Sequence, residues 1–99
     1  MFVMELTYTA PLDRVEEHLD AHVAWLAGLY EEGVLIASGR KNPRDGGVLI
    51  ATGIDRGRAE RIAASDPFTK AGVCAYRITE FFATKTAPAL ERYGEQPSV

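Results

Sequence analysis

The stretch RVEEHLDAHVAWLAGLYEEG, residues 14–33, decides how the chain folds. At about 100° per residue, the advance of an α-helix, Val15, Leu19, His22, Leu26 and Leu29 fall on one narrow stripe. Leu12, Val23 and Tyr30 widen that stripe on one flank, while Glu16, Glu17, Asp20, Glu31 and Glu32 lie off its centre. The spacing predicts an amphipathic helix. Asp13 is its expected N-cap, Glu16 stands three residues on as in a capping box, and Gly33 is its expected stop. One residue departs from the pattern. His22 stands mid-stripe, where an aliphatic side chain belongs, and an ionisable group facing a core is costly to bury unless it has a partner.

Outward from this helix the chain reads as alternating strands and helices. Before it, Phe2 to Thr9 has the two-residue alternation and the β-branched and aromatic content of a strand. After it, Val34 to Gly39 and Val48 to Thr52 are short apolar runs, expected to pair as a hairpin across a loop from Arg40 to Gly47. That loop gathers Arg40, Lys41 and Arg44, which suit either a solvated loop tip or an anion clamp. Asp55 is the expected N-cap of a second helix running to about Ser65. Its inner stripe, Ala59, Ile62, Ala63 and Asp66, is slim, and Pro67 should end it. Val73 to Phe82 reads as a last strand, apolar on both faces, and residues 83–99 read as a loose tail or as a segment lying on a dimer.

The order β-α-β-β-α-β, with right-handed crossovers, builds an α+β ferredoxin-like domain over residues 1–82: a four-stranded antiparallel sheet with both helices on one face. Helices cover only that face. The two-sided last strand therefore predicts a homodimer, sheet to sheet.

The composition narrows the function. Ninety-nine residues make one domain, and 14 acidic against 11 basic residues disfavour nucleic acid or an anionic membrane surface as the partner. The single cysteine, Cys74, excludes an intrachain disulfide and a multi-cysteine metal site, and it reads as packing filler. Met1 to Met4 is too short an apolar start for a signal peptide or a span, so a cytoplasmic protein is expected. His18 and His22 stand four apart on the helix, but the glutamate of the zinc-protease pattern is missing between them, and no metal is expected.

Asp66 is the expected partner of His22. In this fold the inner stripes of both helices face one seam, and a carboxylate at the C-terminus of a helix opposes the macrodipole unless something compensates it. Each of the two irregularities is accounted for by the other. Such a pair can satisfy two buried groups and no more, or it can do chemistry.

At these residues the chain resembles the YCII-related family of the dimeric α/β-barrel group. The pieces that carry the resemblance are AHVAWL at 21–26, EGVLIASG at 32–39, GGV at 46–48, and DPF at 66–68 followed by AG at 71–72. The resemblance implies a dimer, and it implies that His22 and Asp66 are the active-site pair. Ser38, Gly39, Pro67 and Phe68 would border the substrate. It also implies cofactor-free acid–base elimination or isomerisation on a small organic molecule, as on a chlorinated hydroxy-ring compound. Where the family often places proline after the strand glycine, this chain has Arg40. A non-catalytic small-molecule-binding or regulatory dimer needs the same polar pair in an apolar cleft, and the two readings stay open at this point.

Overall fold

The computed structural model describes residues 1–96. They form β1 (Phe2–Tyr8), α1 (Leu12–Glu16), α2 (Leu19–Glu31), β2 (Leu35–Arg40), β3 (Gly46–Ala51), α3 (Arg56–Ser65), α4 (Pro67–Lys70) and β4 (Cys74–Glu80), followed by a 3-10 segment over Pro88–Tyr93. The sheet is antiparallel, in the order β2-β3-β1-β4. β1 lies between β3 and β4, with Leu6 opposite Gly47 on one side and Tyr76 on the other. Phe2, Met4 and Leu6 of β1 share one buried cluster with Leu35, Leu49 and Ala51 of the neighbouring strands and with Val15, Leu29, Ala59, Ile62, Ala63 and Phe68 of the helices. All the helical segments therefore cover the same face, the ferredoxin-like arrangement that the element order predicts.

The first helix begins differently from its expected bounds, and the second keeps them. The first starts at Leu12, with Pro11 in the cap position and no side-chain cap. Proline already holds the φ that a helix start requires, so the helix begins earlier than an Asp13 cap would allow. Asp13 instead accepts the amide of its neighbour Arg14 at 3.0 Å. The helix then breaks at Glu17 and His18 and resumes as α2, so the stripe runs across two segments without losing Val15, His22 or Leu29 from the interior. At the other end Gly33 takes a φ of 75°, as expected of a stop. Asp55 caps α3 as predicted, accepting the amide of Arg58 at 2.7 Å. Pro67 ends α3 but also opens α4, a short helix where a plain turn is expected from the sequence.

The hairpin loop is shorter than its composition suggests. Arg40 belongs to β2, and Gly46 and Gly47 belong to β3. These glycines are needed for proximity rather than for a turn. A Cβ on Gly46 would lie 1.9 Å from the main-chain oxygen of Leu6, and one on Gly47 would lie 3.0 Å from that of Gly39. The last strand is also shorter and less two-sided than expected. Cys74, Tyr76 and Ile78 pack toward the core, whereas Ala75, Arg77 and Thr79 face outward and Phe81 and Phe82 lie exposed beyond the strand. The open face is thus mixed, with Val3, Val48 and Ile50 half-buried beside the polar positions.

Residues 83–96, expected as a loose tail or as a segment lying on a dimer, run back to the start of the chain. Glu95 binds the N-terminal ammonium of Met1 with both oxygens, at 2.7 and 2.8 Å, and accepts the amide of Ala83 at 3.0 Å. Residues 97–99 lie outside the described residues. No helix among the described residues is long and apolar enough to cross a membrane.

The Ala83 amide, aided by the ammonium group, holds the Glu95 carboxyl below its ordinary range. A carboxyl depressed on folding contributes stability that is present above its unfolded pKa and lost as the pH falls through its folded one. Thermal melts of the wild type and Glu95→Gln should therefore differ at pH 7 and converge as the solution is acidified below the usual carboxylate range. A gap that stays constant with pH would remove this contact as an ionic one.

Candidate functional site

His22 and Asp66 meet in the seam. The imidazole Nδ1 of His22 lies 2.8 Å from Oδ1 of Asp66, with the histidine only 8% exposed and the aspartate 0%. Asp66 is placed by the break between α3 and α4. Its backbone is extended, and its carboxylate turns back to cap α4 by accepting the amide of Phe68 at 2.9 Å. The other oxygen, Oδ2, accepts the hydroxyl of Tyr76 at 2.6 Å. Placement at a helix C-terminus would make this charge unfavourable, as the sequence suggests, but as the N-cap of α4 it is favourable. Burying a lone carboxylate costs several kcal/mol even after relaxation. Three hydrogen bonds to a charged acceptor, each contributing about 1.5–3 kcal/mol, are of the size that offsets it.

Tyr76 is a partner of Asp66 that the sequence reading missed. Its phenol is pushed well above its ordinary value, first by burial and then by the negative charge of Asp66, so it stays protonated and serves as a donor. The signal available in the sequence was its inward position on the last strand. Tyrosine there fits both an apolar core and a polar contact, so residue type alone does not mark it.

The pair fixes the state of the imidazole. A carboxylate can only accept, so Nδ1 carries the proton and the lone pair of a neutral ring sits on Nε2. Nε2 has no hydrogen-bond partner among the described residues, and it is not one of the sealed-off polar atoms. The ring itself is held by stacking. Phe68 lies parallel to it at 4.1 Å between centroids, and Trp25 flanks it at 5.5 Å. Trp25 is fixed in turn through its indole N–H, which donates to Ser65 Oγ at 3.0 Å.

His22 borders a cavity of about 240 Å³ between α2 and the sheet. Leu6, Leu19, Leu26, Leu49 and Phe68 give it apolar walls, and Gly46 and Gly47 leave space between them on the sheet side. Ser38 and Gly39 line it as expected, with Ser38 Oγ 2.7 Å from the hydroxyl of Tyr30. Phe68 lines it too. Pro67 does not; it is the first residue of α4 and shapes the turn that presents Asp66. Tyr8, Arg40 and Arg44 also reach the cavity; the two arginines belong to the loop whose composition suits an anion clamp, whereas nothing in the sequence marks Tyr8. Lys41, the third cation of that loop, is instead occupied by Glu5, Thr7 and Asp45. Among the described residues no three His, Cys, Asp or Glu side chains converge as metal ligands would.

The fold has a counterpart among solved structures. No curated protein matches the chain. Among solved structures it is similar to 5-chloro-2-hydroxyhydroquinone dehydrochlorinase (TftG) from Burkholderia phenoliruptrix AC1100, determined as a complex with 2,5-dihydroxybenzoquinone. The TM-score is 0.68 over 82% of this chain and 93% of that one, at 22% identity, and at that identity the likeness bears on the fold. The family profile described as YCII-related domain matches residues 1–82, the whole of the sheet-and-helix unit. The chain belongs to the YCII-related domain family.

Proposed function

We propose that this protein is a cofactor-independent enzyme in which His22, oriented by Asp66, moves a proton on a small organic molecule, in an elimination or an isomerisation. The observation that carries the reading is the free Nε2 of a histidine whose other nitrogen is held by a buried carboxylate, on the wall of a cavity. In the first step a C–H bond of the substrate breaks and an Nε2–H bond forms. In an elimination the released electron pair becomes a C=C bond as a leaving group departs with its own pair. In an isomerisation His22 returns the proton to a different carbon. Asp66 stabilises the imidazolium formed in between. Phe68 packs the ring in place, while Ser38 and Gly39 border the substrate and Pro67 holds the Asp66 turn. The fold shared with a protein named as a dehydrochlorinase supports this class of chemistry.

The same reading takes the protein as a cytoplasmic homodimer that buries the open sheet face, with a small molecule rather than nucleic acid or membrane as its partner. Light scattering at micromolar concentration should report twice the 10.8 kDa of one chain. A monomer would remove the assembly.

Turnover of a panel of small hydroxylated and halogenated ring compounds, followed by NMR, tests the chemistry. His22→Ala should lower it by about 100-fold or more, the usual contribution of a positioned acid–base group. Asp66→Asn should lower it too, and should also loosen the Nδ1–H tautomer that long-range ¹H–¹⁵N spectra would show for the wild type. Ligands that bind against His22 without turning over would favour the non-catalytic dimer. A panel processed equally well by His22→Ala would overturn the site.

Tyr76→Phe leaves Oδ2 of Asp66 buried without its donor. It should destabilise the protein by about 1–3 kcal/mol in urea unfolding. An unchanged midpoint would mean that Tyr76 is not needed to hold the charge.

A further inference from the structure

We infer that the cavity beside His22 takes a small organic carboxylate, and that Arg40 is the residue that selects it. This deepens the functional reading by naming the ligand class of the same site. It rests on that reading for the location, not on any turnover.

The cavity is electrostatically one-sided. The ionisable groups that line it are His22, Tyr8, Arg40 and Arg44, and no carboxylate is among them. The chain as a whole has more acidic than basic residues, so this local sign runs against the composition. Arg40 ends β2 opposite Gly47, in register with the inward positions Ser38 and Leu35. Its register places it on the same side as Leu6 and Leu49, at the exposed end of an edge strand, where it borders this cavity and also the groove beside Val48 and Ile50 on the outer face. No ion pair or hydrogen bond to the guanidinium of Arg40 is present among the described residues, although its neighbour Lys41 has three acidic or hydroxyl partners.

Arg44 adds a second cation at the same rim. Its Nη1 pairs with Glu16 at 3.2 Å, an exposed contact, while its Nε is closed off from solvent without any acceptor. The rim therefore presents one whole guanidinium and part of another above an apolar chamber. A planar guanidinium fork matches a carboxylate, which accepts two parallel N–H bonds. The walls, Leu6, Leu19, Leu26 and Phe68, suit a ring or short hydrocarbon body, and the small volume limits it to about one ring. A carboxylate at the rim would leave that body under Nε2 of His22.

Benzoate and benzamide have nearly the same shape and differ in charge, so they make the probe pair. In amide-detected NMR titrations of the full chain, benzoate should bind at least tenfold more tightly than benzamide and shift the amides of Leu6, Gly47 and Phe68. The preference should shrink as salt is added. Arg40→Gln, checked for an otherwise unchanged amide spectrum, should bring the two affinities together by weakening benzoate and leaving benzamide as it was. Equal binding of both by the wild type would overturn the inference, as would no benzoate binding at millimolar concentration. A preference that survives Arg40→Gln and disappears only in Arg44→Gln would overturn the assignment to Arg40. Charge preference without turnover of any compound would leave this inference standing and remove the enzyme. Turnover confined to neutral compounds would do the reverse.

Discussion

A charged carboxylate at the centre of a small domain has to be matched by donors, and the donors of Asp66 come from three directions. α2 supplies the imidazole of His22, the first turn of α4 supplies the amide of Phe68, and β4 supplies the hydroxyl of Tyr76. Each bond ties a different part of the fold to the same two oxygens. The site is therefore built from groups that also fix how helix, turn and strand meet, and the geometry of His22 is inherited from that junction. An imidazole stacked on Phe68 and anchored at Nδ1 has little rotational freedom left, which leaves Nε2 oriented before any ligand arrives.

Much of this was legible in the sequence because it depends on periodicity. The stripe from Val15 to Leu29, the alternation of β1 and the Asp55 cap each rest on a local rule that tertiary packing then respects. The pairing of His22 with Asp66 was legible for the same reason: two residues that break their stripes on elements bound to share a face have few other places to go. The failures have a common cause. Gly46 and Gly47 carry the composition of a loop, but they serve close approach of strands, which only the register reveals. Tyr76 looks unremarkable on its own, and Arg40 reads only as one cation of a loop, because what each of them meets is distant in the chain. The outward face of β4 is less apolar than its length of sequence suggests, because Arg77 and Thr79 interrupt it at the outward positions.

The loop cations illustrate why charge counts along a sequence say little about a site. Arg40, Lys41 and Arg44 form one basic cluster on paper, yet the fold separates them into a lysine engaged on the sheet and two arginines at a cavity mouth. What distinguishes them is strand register and the partners within reach, neither of which is local information.

The double duty of Asp66 makes the two members of the pair unequal under mutation. Loss of His22 takes one of three donors from a buried carboxylate; loss of Asp66 leaves behind an uncapped turn and two stranded donors. A change at position 66 is therefore felt by strand, turn and helix together, and a change at position 22 by one contact of the helix.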